Sequence, residues 1–564
     1  MGIGILDDPR TPFPPGTCIL TEKLTVGAGL DESELDGFKK DGDVVLQPQP
    51  SDSPNDPYNW SERRKYGMAI LLIANAITIG GTQGMLHTGM RILAEKYHTT
   101  FPNVIRHLTP PRIVSHAFGL SFASAMAAVY GKRVLYVTGV FVIWAEMFAG
   151  WFANSLDYYT ALSAIGGFAS SFEILNGPIM TEMVYVHKRG RIMGLTAIVA
   201  VVGGDASQVI SGNVISKLGI KYTYLISCCI VALLAALIYL FVWETTYYRK
   251  TREVKRKGDL SPGAISENFE TDSKSQSDVK PDVKKDISVT QIENLSPISS
   301  HPEDFAIPEA KFTWKQQLKV FRGRITKRSL LQAFYQPFPL LLFPSVLFAT
   351  FVNGAFMTWL QISGLLKFQV LAYPPYNLKP DQLAYINLPG SIINLLTSIF
   401  SGLFSDWLIK FLSRRNKGVY EPEFRLLLML PATIFSTVSF LLLGNAYHYK
   451  WSIVRIVACS ICMNIAVPFA GNASMTYIYD TQRTTATEAV VASALVKSIF
   501  GYFVTSYVPA WFEKAGPLKA FTTLAILNVS FACLTIPVYI FGKRLRGMVA
   551  RNKFLMKAAI HKED

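Results

Sequence analysis

One feature constrains this chain more than any other: about twelve apolar stretches, each roughly 20 residues long, fall into two sets of six around a polar block of roughly 90 residues. Because about 20 residues of α-helix cross a bilayer core, each stretch is long enough to span. The expected fold is an all-α membrane protein, twelve transmembrane helices in two six-helix halves, a division typical of secondary transporters. The spans are placed at 67–89, 112–130, 134–153, 158–181, 192–215 and 222–243, then at 338–361, 382–406, 426–446, 452–476, 488–511 and 518–541.

A formal net charge of +15 would suit a nucleic-acid binder, but most of the Lys and Arg stand in short clusters beside the spans. Arg63-Arg64-Lys65, Lys132-Arg133, Lys188-Arg189 with Arg191, Arg249-Lys250, Arg414-Arg415 with Lys417, and Lys543-Arg544 with Arg546 all fall on one side when spans are counted from a cytoplasmic N-terminus. By the positive-inside rule both ends are cytoplasmic, and no nucleic-acid partner is expected.

The expected organisation is a mostly disordered cytoplasmic tail over 1–65, helical halves at 66–245 and 336–545, a cytoplasmic linker at 246–335, and a short cytoplasmic tail at 546–564. Within the linker, 251–310 has the Ser, Asp, Lys and Pro content of a flexible, phosphorylatable tether. Residues 312–334 mix Phe312, Trp314, Leu318, Phe321 and Ile325 with Lys and Arg, as in an amphipathic segment lying on the inner leaflet. Cys228, Cys229, Cys459, Cys462 and Cys533 fall inside spans, so no disulfide framework is expected.

Ionisable groups inside spans are expensive, which makes each a candidate for function, with structural pairing as the competing role. Asp205 lies near the middle of the fifth span, on one face with Gln208 and Gly212. Lys497 lies at comparable depth in the eleventh span, the fifth of the second half, and Glu173 in the fourth; these three are the proton-coupling candidates. Glu146 in the third span has no evident role. Asn387, Ser391, Asn394 and Ser398 form a polar stripe on the eighth span that either lines a cavity or joins helices, and Asn75, Thr82, Gln208 and Asn353 complete the substrate-cavity candidates. The small residues Gly80, Gly84, Gly203, Ser207 and Ser211 read as close helix packing.

The sequence carries no phosphate-binding loop, HExxH or GxSxG motif, so neither an enzyme nor an ATP-driven pump is expected, and no cofactor or metal is called for. The expected partners are a small-molecule substrate, protons and the lipid bilayer, and the expected working unit is a monomer.

Pro50-Ser-Asp-Ser-Pro-Asn-Asp-Pro-Tyr-Asn-Trp60, running into Arg63-Arg64-Lys65, resembles the lead-in to the first span of fungal major facilitator proteins of the twelve-span drug:proton antiporter type. His187-Lys-Arg-Gly190, Trp243-Glu-Thr-Thr-Tyr247, Tyr479-Asp480, Glu488-Ala489 and Lys497 resemble later landmarks of that family, and the likeness runs from about residue 45 to 545. It implies a major facilitator fold and a conformational latch after the second and eighth spans. Here the first copy keeps Gly131, Lys132 and Arg133 but has Ser124 and Ala128 for the leading Gly and the Asp, while the second keeps Gly402 and Asp406. A family Arg tied to proton coupling aligns with Ser163, and the family's fifth-span Gly-Pro pair is missing near Ser207 to Ser211. The resemblance implies proton-coupled efflux of a small hydrophobic organic molecule, such as a fungal metabolite, toxin or drug, across the plasma membrane or alternatively a vacuolar or other internal one. Uptake of a polar nutrient (polyamine, sugar or organic acid) is the alternative, and a non-transporting sensor a third.

Overall fold

The structure is a computed structural model that describes residues 4–11, 14–19, 40–41, 44–45, 50–51, 53–185, 203–204, 206–247, 311–326, 329–416, 419–482, 485–552 and 555. The chain divides into two compact units: Met1–Leu20, Ser61–Thr246 and Thr313–Asp564 form the first, Thr21–Trp60 with Tyr247–Phe312 the second. In the second unit, the Pro50 to Trp60 motif is organised by the buried Asp56, whose carboxylate accepts from Ser51 N (3.0 Å), Ser51 Oγ (2.9 Å) and Tyr58 N (3.0 Å).

In the first unit the N-terminal half comprises α1 (Glu62–Gly84), α2 (Phe101–Tyr130), α3 (Lys132–Gly150), α4 (Leu156–Ser170), α5 (Asn176–Met183), α6 (residues 206–217) and α7 (Ile220–Phe241). Past the linker, α8 (Leu330–Tyr335) leads to the C-terminal half: α9 (Pro344–Leu371), α10 (Leu388–Arg415), α11 (Met429–His448), α12 (Ile453–Thr481), α13 (Ala486–Ala515), α14 (Pro517–Cys533) and α15 (Thr535–Arg551). Among the described residues, ten helical runs are long and apolar enough to cross a membrane. The fourth expected span is broken into α4, a 3-10 turn over Ser171–Leu175, and α5. The fifth is described only from residue 203.

The largest shift from the expected boundaries is in α2. Pro110 and Pro111 lie just before the expected start of the second span at 112, and a proline lacks the amide proton and crowds the preceding turn. The helix nevertheless runs through both prolines for 30 residues, which moves Arg112 from a span end to about 16 Å along the helix. Helices elsewhere approach through small residues, as expected: a Cβ on Gly81 of α1 would fall 2.5 Å from Ser207 Oγ. In the C-terminal half, Ala349, Val352 and Phe356 of α9 pack on Ala470, Ala473 and Tyr477 of α12.

The linker's amphipathic segment is not one continuous helix. It is a four-residue turn of helix, Trp314–Gln317, then extended chain, then α8, whose Ala333 packs on Ala125 and Val129 of α2. Residues 248–310 lie outside the described residues, so the tether expected at 251–310 does too.

The described residues of 4–19, expected within an unstructured tail, lie against the end of the C-terminal half that carries Lys543, Arg546 and Arg551, because their charges match it. Asp7 binds Lys543 at 3.0 Å and Asp8 binds Arg551 at 2.6 Å, Leu6 N donates to Ile540 O at 2.9 Å, and Ile5 is buried. Cys18–Ile19 pairs antiparallel with Val419–Tyr420.

Candidate functional site

A cavity of about 390 Å³ lies between the two halves, walled by α1, α2, α4 and α6 on one side and by α9 and α13 on the other. Its size suits a drug-sized molecule, and such pockets usually mix apolar walls with a few polar groups. Met85, Met90 and Met357 supply adaptable apolar surface, and Thr358, Gln361 and Ser498 supply neutral hydrogen-bonding groups.

The N-terminal wall contains an ion pair. Arg112 Nη1 of α2 donates to Glu146 Oε1 of α3 at 3.2 Å, with side-chain exposures of 15% and 2%. Glu146 reaches the cavity because α4 offers Gly166 opposite it; a Cβ there would occupy the carboxylate's own space. This pair accounts for Glu146, which has no evident role in the sequence alone. Ser163, which aligns with a family Arg, lines the same cavity as this arginine. One turn along α2, His116 faces Ser170 Oγ at 3.3 Å, and that hydroxyl donates to Gly167 O at 2.9 Å.

The C-terminal wall carries Lys497 of α13. Helix α9 admits it through Gly354, where a Cβ would sit 3.3 Å from Lys497 Cα. Lys497 makes no hydrogen bond or ion pair among the described residues.

The other expected site residues are distributed as follows. Thr82 and Gln208 line the cavity, and Asn387 Nδ2 donates to Gln208 Oε1 at 3.2 Å from its edge. Asn75 is buried behind the wall, donating to Tyr136 Oη at 2.8 Å, and Asn353 is fully buried with both amide atoms unpaired. Of the eighth-span stripe, Asn387 reaches the cavity's edge through Gln208, while Ser391 donates to Asn387 O (3.1 Å) and Ser398 to Asn394 O (2.7 Å) within their own helix. Glu173 is half-buried in the 3-10 turn, without a hydrogen bond or ion pair among the described residues. Asp205 and His187 to Gly190 lie outside the described residues. Sequence reasoning missed Arg112 and His116. The signal for Arg112 was available, since an acid at 146 in a third span needs a buried cation within reach.

On the side away from the basic clusters the halves meet. Arg91 donates to Ala372 O and lies 5.2 Å over the Tyr373 ring, Phe101 packs edge-on to Tyr373, and Asn213 donates to Tyr385 Oη at 3.2 Å.

The ends of the halves that bear the basic clusters carry charge networks. In the N-terminal half Lys132 pairs with Glu182, Thr245 donates to Glu182 at 2.7 Å, and Glu244 accepts from the backbone of Lys132 (3.2 Å) and Arg133 (3.1 Å). Gly131 has φ 91°, and a Cβ there would clash with Glu244, so the Gly131-Lys132-Arg133 and Trp243 to Tyr247 motifs form one structure. The second-half latch was expected at Gly402 and Asp406. Asp406 is exposed and makes no hydrogen bond or ion pair among the described residues, and Gly402 has nothing crowding it. The charges that engage there are Arg425 with Asp480, and Arg546 with Glu421 (3.0 Å) and Glu423 (2.7 Å).

Residues 112–509 match the family model for the Major Facilitator Superfamily. The chain is 26% identical to an uncharacterized MFS-type transporter of Schizosaccharomyces pombe, over 96% of this chain and 94% of that one, and 23% identical to protein HOL1 of Saccharomyces cerevisiae, over 94% and 95%. It is similar in fold to the proton:xylose symporter XylE, with a TM-score of 0.52 at 10% identity, covering 87% of this chain and all of that one. With a family match over most of its length and two helical halves enclosing a central cavity, this chain belongs to the Major Facilitator Superfamily.

Proposed function

We propose that this membrane transporter exports a small, largely hydrophobic organic molecule in exchange for protons by alternating access. The carrying observation is the cavity itself, whose walls come from both halves, so that rocking one half against the other would move its opening from one side of the membrane to the other. Met85, Met90, Met357, Leu108 and Ile113 give the cavity an apolar side for a hydrophobic body, and the polar groups around it give that body's few polar atoms partners. Proton transfer is assigned to Asp205 and Glu173, with Lys497 as the charge that their protonation state influences. Lys132 and Arg133, held by Glu182 and Glu244, are assigned to the cytoplasmic latch.

The test is flux in proteoliposomes with an imposed pH gradient, alongside intracellular accumulation of candidate solutes in a deletion strain. Efflux predicts retention of the substrate by the deletion strain and flux that collapses with the gradient. Failure of that strain to take up a polar solute would install the uptake reading instead. Asp205→Asn and Glu173→Gln are expected to uncouple flux from pH, and pH-dependent flux unchanged in both would remove them as carriers.

A further inference from the structure

The charges lining the cavity do not balance. Among the described residues two cations, Arg112 and Lys497, face one carboxylate, Glu146. That carboxylate is already engaged, since its Oε1 receives Arg112 Nη1. Arg112 still holds Nε and Nη2 buried without an acceptor, and Lys497 makes no ion pair among the described residues. His116, a neighbour within electrostatic reach of Lys497, brings a ring nitrogen and no negative charge. A buried cation without a partner is costly, and the groups that relieve that cost best are carboxylates, which accept from an ammonium as a point charge and from a guanidinium through two parallel bonds.

Resting on the reading of this cavity as the substrate site, we infer that the transported molecule is an organic anion, a carboxylate or similarly acidic group on an apolar body. Lys497 engages the acidic group, the free donor edge of Arg112 supplements it, and the methionine walls cover the rest. Lys497 is placed for this by Gly354, whose missing side chain lets α9 and α13 close around the lysine stem. The same charge pattern selects against polyamines, which would bring further positive charge to a wall that already has an excess.

Three probes of one shape test the class: 2-naphthoate, 2-naphthamide and 2-naphthylmethylamine, titrated by calorimetry against the full-length protein in nanodiscs, with empty nanodiscs subtracted. The expected result is 2-naphthoate binding at least about tenfold more tightly than the amide, and the amine more weakly than both. Lys497→Met is expected to erase the acid-over-amide preference while leaving amide binding in place, and Lys497→Arg to restore most of it. Retained amide binding by Lys497→Met certifies an intact cavity, and if that variant does not fold, Gly354→Val, which displaces the lysine, takes its place. Equal binding of acid and amide, tighter binding of the amine, or an acid preference that survives Lys497→Met would overturn the inference. These outcomes are separable from those of the flux assay. Proton-coupled flux of a neutral or cationic cargo with no acid preference sinks only the anion class, whereas acid-selective binding without flux sinks export and leaves the anion site standing.

Discussion

The two halves share a helical plan and treat charge in opposite ways. At the central cavity the N-terminal half presents a paired charge, Arg112 with Glu146, whereas the C-terminal half presents Lys497 with no partner among the described residues. At the end bearing the basic clusters the C-terminal half is the more heavily bonded. Arg546 is 4% exposed between Glu421 and Glu423, which are 2% and 0% exposed, and all its donor nitrogens are engaged, with Nη1 reaching Pro15 O at 2.6 Å and Thr17 Oγ1 at 3.2 Å. The difference teaches that the same fold closes charge into pairs on one wall of the cavity and leaves it open on the other. A buried pair is poor evidence of net stabilisation, but losing one member strands the other.

That asymmetry can be broken most severely at Arg546. Replacing it by Ala strands the buried Glu423 and leaves Glu421 with Lys543 (2.7 Å) as its one cation among the described residues, and the expected loss is about 3–5 kcal/mol, read as a steep fall in thermal midpoint and in detergent-stable yield. Adding Glu421→Gln and Glu423→Gln to Arg546→Ala is expected to recover a large part of it. If the single and triple variants melt together, the network is not what organises this end.

Next in size is Arg112→Ala, which leaves Glu146 alone beside the cavity at an expected cost of about 3 kcal/mol. The double variant Arg112→Met with Glu146→Met should return close to the parent's melting temperature, because neither charge is then left buried without the other. Lys497→Met provides the contrast: with no pair to break and a buried unpartnered cation removed, its melting temperature is expected to match or exceed the parent's. A loss comparable to that of Arg112→Ala would show that Lys497 is structural and would erase the difference between the halves.

The helical plan was legible because span length is set by the bilayer, and the six-plus-six division survives errors of several residues at each boundary. The membrane-centre site was only half legible. Lys497 could be found, since a lysine in the middle of an apolar run is costly enough to mark a functional position. Arg112 was hidden behind Pro110-Pro111, where a local rule about proline was overridden by the packing of α2 on α4. The polar stripe of the eighth span illustrates the converse. Its period of three and four is real, but serine hydroxyls can satisfy themselves on the preceding turn of their own helix, so periodicity alone does not distinguish a cavity wall from a self-bonded face. The latch motif misled for a related reason: Asp406 has the right spacing, yet Asp480, Glu421 and Glu423 come from separate segments that only the fold assembles.

The smallest expected effect concerns residues 4–19, which extend the C-terminal network. The hydrogen bond from Lys543 holds the Asp7 carboxyl below the usual carboxylate range. A depressed acid contributes stability that is present above the free acid's pKa of about 4 and is lost as pH falls through the lower folded value. Asp7 is half exposed, so solvent screens the pair and its worth is under about 1 kcal/mol. Asp7→Asn should therefore lower the melting temperature slightly at pH 7, and the gap between variant and parent should close below about pH 4. Amide exchange across Leu6, whose N–H is bonded to Ile540 O, offers the local readout and should accelerate in the variant. Exchange at Leu6 that is already fast in the parent at pH 7 would mean that the segment does not stay on this face, and the C-terminal network would then end at Arg546 and its two glutamates.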